Sequence, residues 1–258
     1  MGAVTPVAAL MFFRLTILLS LLVALAGCKR ESYSRSISGF SSTDKKVLYD
    51  FRTEPIAPSL PDAATTRRVL SSLYPSHVSD LRECKSGQRH QTAATVHGAA
   101  EGSFTAAGLK QAVYLVTAAE CGLRPTIATR RLLVFTGGTL TANVEAPIGQ
   151  TILGVYDLNG DRKHELLLED GGSGPGEIIK VAKLLEFDKD KLATVEDLGQ
   201  IYDNACATSA GTPSLRASLV YYFPPPAGQK PRFTVELYRA PCPAAGEKPQ
   251  WTRVAGQQ

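Results

Sequence analysis

A repeated alternation of apolar and polar residues with a period of two dominates the second half of the chain and constrains its fold most. This period places alternate side chains on opposite faces of a strand. Roughly nine or ten short strands with turns between them are typical of an antiparallel β-sandwich or meander, and are too few for a four-bladed propeller. The predicted strands are Ala112–Val116, Leu132–Phe135, Leu140–Val144, Ile152–Tyr156, Glu165–Leu168, Ile178–Phe187, Leu192–Val195, Leu215–Phe223 and Phe233–Tyr238.

Turn-forming and helix-capping residues mark the ends of the predicted strands and of one helix. Gly137-Gly138 lies between two predicted strands and favours a tight hairpin turn with positive φ. A short helix precedes the strands, because Asp62 or Thr65 can cap a segment that continues through Leu73 and ends before Pro75. The sequence therefore predicts a mainly β domain, an antiparallel β-sandwich or meander, with one short N-terminal helix.

The N-terminal segment has the features of a signal peptide. Arg14 precedes the apolar run Leu15 to Leu25, which is about half of the ~20 residues that a membrane-spanning helix needs. The run ends in Leu25-Ala26-Gly27-Cys28, which resembles the lipobox of bacterial lipoproteins. The resemblance implies cleavage before Cys28 and acylation of that cysteine, including palmitate, as a stable membrane anchor. A secreted protein with an incidental Cys28 is the alternative.

That resemblance also indicates where the protein works. We expect a lipid-anchored location in the bacterial cell envelope, and Lys29 after the cysteine favours the outer membrane by analogy with enteric sorting. The expected organisation is a signal peptide over 1–27, a serine-rich flexible tether over 28–61 and a single globular domain over 62–258.

Charge is concentrated in the tether. The chain carries a net +4, of which Arg14 accounts for one charge and residues 29–46 for three, so the remainder balances to zero. A basic excess confined to a tether is not a nucleic-acid footprint. It would lie against anionic headgroups or act as a solvated linker.

Four cysteines follow Cys28, namely Cys84, Cys121, Cys206 and Cys242. An even number in an oxidising compartment favours two disulfides, and no CxxC spacing indicates a zinc or redox site. We predict Cys84–Cys121 and Cys206–Cys242, since each pairing would brace a long connection.

One segment has the residue types of a calcium loop. Oxygen donors recur at alternate positions from residue 157 to residue 165, and hard cations such as calcium prefer six to eight oxygen ligands. The candidate ligands are Asp157, Asn159, Asp161, the carbonyl of Lys163, and Glu165. The segment resembles the loops of FG-GAP and VCBS-type β repeats, but Arg162 stands where that family has a glycine, at a position expected to have positive φ. The alternative is a plain Asn159-Gly160 hairpin turn.

The other motifs of the sequence do not indicate a catalytic or binding site. The glycine-rich stretch Gly171–Gly176 lacks the Lys-Ser/Thr of a phosphate loop and indicates a mobile loop between strands. The four histidines show no ligand spacing, and no Gly-x-Ser-x-Gly elbow is present. The segments 101–105 and 111–116 and the 157–168 loop together resemble envelope lipoproteins of bacteria.

Two classes of function remain at this point. The first is a non-enzymatic, lipid-anchored envelope protein with a binding or scaffolding role, stabilised by calcium, whose partner is a protein or a glycan. The second is a periplasmic or surface hydrolase with dispersed catalytic residues. No nucleophile–base arrangement is evident in the sequence, which favours the first class.

Overall fold

The computed structural model describes residues 44–53, 58–73, 89–92, 94–117, 120–122, 130–189, 191–207, 212–226 and 229–255, with the backbone alone for 89–92 and 120–122. One helix, α1 (Ala63–Leu73), and fourteen strands occur in these ranges. The strands are β1 (Lys46–Asp50), β2 (Arg89–Thr92), β3 (Thr95–Gly102), β4 (Gln111–Thr117), β5 (Glu120–Gly122), β6 (Arg130–Thr136), β7 (Thr139–Glu145), β8 (Thr151–Tyr156), β9 (Glu165–Gly174), β10 (Glu177–Asp188), β11 (Lys191–Asn204), β12 (Ser214–Phe223), β13 (Arg232–Pro241) and β14 (Thr252–Arg253). The predicted mainly β, antiparallel fold with one short helix is confirmed.

Helix α1 begins where the sequence predicted. The side chain of Asp62 accepts a hydrogen bond from the backbone N–H of Thr65 at 2.7 Å, which satisfies one of the free donors at the helix N-terminus. Val69 and Leu73 are buried on one side of the helix. The helix ends at Leu73, and Pro75 lies outside the described residues.

Two antiparallel sheets carry most of the structure. The smaller has the strand order β3-β4-β6-β7, and the larger runs β14-β13-β12-β11-β10-β9-β8, with β1 paired to β12. Strands β2 and β5 form a separate pair. Thr136 pairs with Thr139, and Gly137 and Gly138 between them have φ of 56° and 86°, which confirms the predicted tight hairpin.

The alternation of the central strands divides the apolar residues among three cores. Leu133 and Phe135 of β6 pack with α1 on the outer face of the small sheet. Leu132 and Val134 point the other way and pack against Leu166 of β9, between the two sheets. Leu167 of β9 faces a third core on the opposite side of the large sheet. This period-two partition is the signal that the sequence carried most clearly.

Strand β1 lies in the segment that we predicted to be tether, and this prediction is corrected. The described structure already includes residues 44–53, which precede residue 62. Leu48 and Phe51 are each 5 % exposed and pack into the third core. β1 pairs with the second half of β12, because β11 pairs only with the first half. The structured domain therefore includes part of the predicted 28–61 tether.

The glycine-rich stretch also differs from its prediction. Gly171 to Gly174 continue β9 and pair with β10, and the chain turns at Pro175-Gly176 instead of forming a mobile loop. No helix within the described residues is long and apolar enough to span a membrane.

Candidate functional site

A cleft of about 400 Å³ opens beside β1 and the last part of the chain. Its volume lies within the range typical of small-molecule sites. Its apolar lining residues are Tyr49, Phe51, Ile178, Tyr202, Pro249 and Trp251, and its polar lining residues are Arg52, Thr53, Glu169, Lys180 and Asn204. We call this the aromatic cleft.

Aromatic rings from three separated segments form the apolar wall. Tyr49 and Phe51 pack with ring centroids 4.5 Å apart at an interplanar angle of 44°. Tyr202 comes from β11, and half-buried Trp251 precedes β14. Ile178 also lines the cleft and is 44 % exposed. The wall therefore presents apolar surface to a ligand.

The charged residues of the cleft are held in ion pairs. Lys180 Nζ lies 2.8 Å from Glu169 Oε1. Arg52 binds Asp50 through two parallel hydrogen bonds of 2.8 and 2.7 Å, and its guanidinium lies over the ring of Tyr238. Each cation therefore has a carboxylate partner, and the cleft is close to electrically neutral.

Two pKa shifts follow from this arrangement. The side-chain hydrogen bond from Arg52 holds the pKa of Asp50 below its usual value. Burial raises the pKa of Tyr202, so that its hydroxyl is protonated at neutral pH. The cleft thus offers rings, a neutral phenol and an amide, Asn204, beside paired charges.

Little in the sequence indicates this site. Trp251 is the only tryptophan of the chain and follows a proline-containing stretch outside the alternating pattern. Tyr49 and Phe51 were assigned to the tether. Their alternation with Asp50 was the available signal, but only the pairing of β1 with β12 brings them to the same place as Trp251.

The predicted calcium segment forms the connection from β8 to β9, residues 157–164, so it is longer than a two-residue Asn-Gly hairpin. Gly160 has φ of 69° and Arg162 has φ of 66°, which confirms the expected left-handed conformation at Arg162. The loop also joins the two sheets, because the backbone N–H of Ser103 donates to His164 Nδ1 at 2.9 Å.

Backbone N–H groups of the same segment donate hydrogen bonds to several of the side-chain oxygens that would bind calcium. Asp157 Oδ2 accepts from the N–H of Arg162 at 3.2 Å, and Asn159 Oδ1 accepts from that of Asp161 at 2.9 Å. Asp161 Oδ1 accepts from the N–H of Lys163 at 2.7 Å. Hydrogen bonds within the segment therefore hold this exposed turn in its conformation.

Glu165 differs from the other candidate ligands because it is buried, at 2 % exposure. It accepts a hydrogen bond from the N–H of Leu158 at 3.1 Å, and burial raises its pKa to about 7. Within the described part of the chain, no group of three or more His, Cys, Asp or Glu side chains converges as a metal site would require. The donor types suit calcium, but their placement gives no preformed cage.

Of the other predicted site residues, Cys206 and Cys242 form a disulfide with a Cα–Cα distance of 5.6 Å, which confirms that pairing. Cys28 and Cys84 lie outside the described residues, and only the backbone of Cys121 is described. The Cys84–Cys121 pairing and the lipidation of Cys28 therefore remain predictions.

The two histidines whose side chains are described make structural contacts. His97 Nε2 bonds the hydroxyl of Thr117, and His164 accepts from Ser103 as above. Neither histidine lines the aromatic cleft.

Comparisons with known proteins give no relationship from which to transfer a function. No family model matches the chain, and no curated protein and no solved structure is significantly similar to it.

Proposed function

We propose that this chain is a non-enzymatic, lipid-anchored binding protein of the bacterial cell envelope, and that the aromatic cleft binds a glycan. The observation that carries the proposal is the combination of four aromatic side chains with fully paired charges around one cavity. Aromatic faces pack well against the C–H face of a sugar ring, while hydroxyl, amide and paired charged groups bond its hydroxyls.

Charge balance favours a neutral saccharide over an anionic ligand. Arg52 and Lys180 are each neutralised by a carboxylate, so neither is free to attract a second anion at low cost. A neutral ligand with many hydroxyls would use these groups as hydrogen-bond donors and acceptors without separating the pairs.

Binding is favoured over hydrolysis by the same lining. Glycosidases place two carboxyl groups on either side of the bond that they cleave. Among the described lining residues of the cleft, Glu169 is the single carboxylic acid, and it is paired with Lys180. This arrangement supports the binding role over the alternative of a hydrolase.

The glycan proposal is tested by isothermal titration with a panel of neutral oligosaccharides of different linkage. Since a central aromatic contact often dominates binding energy, we expect Trp251→Ala to weaken the best ligand at least 10-fold. Phe223→Ala, which removes an aromatic ring outside the cleft, is the matched control and should bind as the parent does. Equal loss in both variants, or no saturable binding across the panel, would refute a glycan site at Trp251.

The envelope anchor rests on the resemblance of Leu25–Cys28 to a lipobox. Expression of the full chain in a bacterium with labelled palmitate should give a labelled, membrane-associated protein. Cys28→Ser should abolish the label and release the protein from the membrane, whereas Cys206→Ser should retain the label. Labelling of the Cys28→Ser protein would contradict the anchor.

Calcium binding by the 157–165 loop is a second proposal, supported by the left-handed conformation of Arg162 that the loop resemblance implies. Asp157, Asn159, Asp161, the Lys163 carbonyl and Glu165 would provide the oxygen ligands. Calcium at 100 times its Kd should stabilise the fold by about 2.7 kcal/mol over EDTA in a thermal melt. Asp157→Ala should remove that difference, and identical melts of the parent in calcium and EDTA would contradict the proposal.

A further inference from the structure

A second cavity, of about 690 Å³, lies at the ends of β10 to β13, on residues that the aromatic cleft does not use. Its charged lining side chains are Glu177, Asp203, Arg216 and Arg239. The volume is within the range of ligand-binding sites. The disulfide Cys206–Cys242 joins the chain just after β11 to the chain just after β13, beside this cavity.

Three of the four charged residues form a row across the sheet. Asp203 on β11 is the register partner of Arg216 on β12, and Arg216 is the partner of Arg239 on β13. Directly opposite residues of antiparallel strands point to the same face, with Cβ atoms about 4.5–5.5 Å apart. A carboxylate and two guanidinium groups therefore lie in succession on one face.

Among the described residues, Asp203, Arg216 and Arg239 take part in no ion pair. Asp203 is 9 % exposed, and its buried Oδ1 has no hydrogen-bond partner. Buried carboxylate oxygens are nearly always hydrogen-bonded, and like charges directly opposite each other destabilise a sheet. Both features indicate a site whose partners come from a ligand.

We propose that this cavity binds a zwitterion of the amino-acid or short-peptide class. Arg216 and Arg239 bind its carboxylate, since guanidinium groups match that anion with paired hydrogen bonds. Asp203 and Glu177 bind its ammonium group. Two carboxylates and two guanidinium groups sum to zero, which matches a ligand carrying one charge of each sign. A phosphate would meet the same guanidinium groups but would be repelled by Asp203 and Glu177.

The test is a ligand-observed NMR titration of the oxidised protein with dialanine. A ligand this small should bind in the millimolar range. N-acetyl-dialanine lacks the ammonium group and dialanine amide lacks the carboxylate, so each should bind about 10-fold more weakly or worse. Inorganic phosphate should not compete.

Variants assign each end of the ligand to its residues. Arg239→Gln should weaken dialanine about 10-fold while leaving dialanine amide unchanged, and Asp203→Asn should weaken dialanine while leaving N-acetyl-dialanine unchanged. Lys191→Gln removes a charge at the opposite end of β11 and is the matched control, with parental binding. Arg239 is exposed, so its variant gives a result even if Asp203→Asn fails to fold.

Three results would overturn the proposal. These are no saturable dialanine binding, equal affinity for dialanine and its N-acetyl form, or competition by phosphate. The first would show that the cavity takes no ligand of this class. The last would make the arginine pair a simple anion site.

Discussion

Two residues of the described chain have a backbone conformation that usually requires glycine. Arg162 has a left-handed backbone although it is not glycine, and Lys189 in the turn after β10 does the same with φ of 57°. Such conformations cost a side chain on the order of 1 kcal/mol relative to glycine. At position 162 the loop hydrogen bonds and the contact with the neighbouring sheet impose the conformation.

Arg162→Gly should therefore raise the free energy of unfolding by about 1 kcal/mol, because glycine adopts this φ without a Cβ clash. Urea denaturation measures the change. Arg162→Ala removes the same long side chain but keeps the Cβ, so it should give no such gain. Equal stabilisation by both variants would show that the charge or length of Arg162 is responsible, not its backbone.

The pair Asp50–Arg52 beside the aromatic cleft makes a pH-dependent contribution. The hydrogen bond from Arg52 lowers the pKa of Asp50 in the folded state. A lowered carboxyl pKa contributes stability that is complete above the unfolded value, about 3.9, and is lost as pH falls through the lower folded value. Because both side chains are about a quarter exposed, the contribution should stay below about 1 kcal/mol.

Arg52→Met should therefore be less stable than the parent at pH 7, and the difference should shrink below about pH 4. Part of the difference should persist, since Arg52 also lies over the Tyr238 ring at 4.1 Å. Urea unfolding at pH 7 and pH 3 gives both values, with Lys248→Gln as an exposed control. A difference that grows in acid would contradict this account of the pair.

At the scale of strands, burial decides which segments are part of the domain. β1 is short and lies in a segment rich in charges, yet it fills the place beside β12 that β11 leaves open. Leu48 is 5 % exposed within the core on that side of the sheet. The structured domain thus depends on residues that composition alone assigns to a linker.

Leu48→Ala should destabilise the domain by about 2–4 kcal/mol, the usual cost of removing a buried leucine side chain. Leu60→Ala, at a leucine that is 63 % exposed, should change stability by less than about 0.5 kcal/mol. Guanidinium denaturation distinguishes the two. If the variants were equally stable, β1 would not be part of the cooperative unit.

Strands with a clear apolar pattern could be predicted from the sequence, and those without one could not. All nine predicted segments lie in strands, because each is a short alternating or continuous apolar run bounded by turn residues. β3 could not be predicted because its glycines and alanines have low strand propensity. Its strand conformation depends on pairing with the neighbouring strand β4. The aromatic cleft was missed because β1, β11 and the segment before β14 meet only through tertiary pairing.

At the scale of the whole domain, one covalent link fixes the region that contains the second cavity. Cys206 and Cys242 are 36 residues apart in sequence. A crosslink that closes a loop of this length should stabilise the fold by roughly 3–4 kcal/mol.

Replacing both cysteines by serine should therefore lower the free energy of unfolding by about 3–4 kcal/mol. Denaturation of the oxidised parent and of the double variant gives the difference. As a control, a reducing agent should lower the stability of the parent by breaking the Cys206–Cys242 bond. The double variant, which lacks that bond, should not show this loss. A loss well under 1 kcal/mol would mean that the bond is not formed in the folded protein.

The central claim is that the aromatic cleft is the ligand-binding site, and Trp251 reports on it directly because the chain has a single tryptophan. The most direct measurement is therefore the intrinsic tryptophan fluorescence of the protein during titration with neutral oligosaccharides. Binding in the cleft should shift the emission to shorter wavelength and protect it from a soluble quencher, in a saturable manner. Binding detected by calorimetry with an unchanged Trp251 spectrum and unchanged quenching would place the ligand elsewhere and contradict the account.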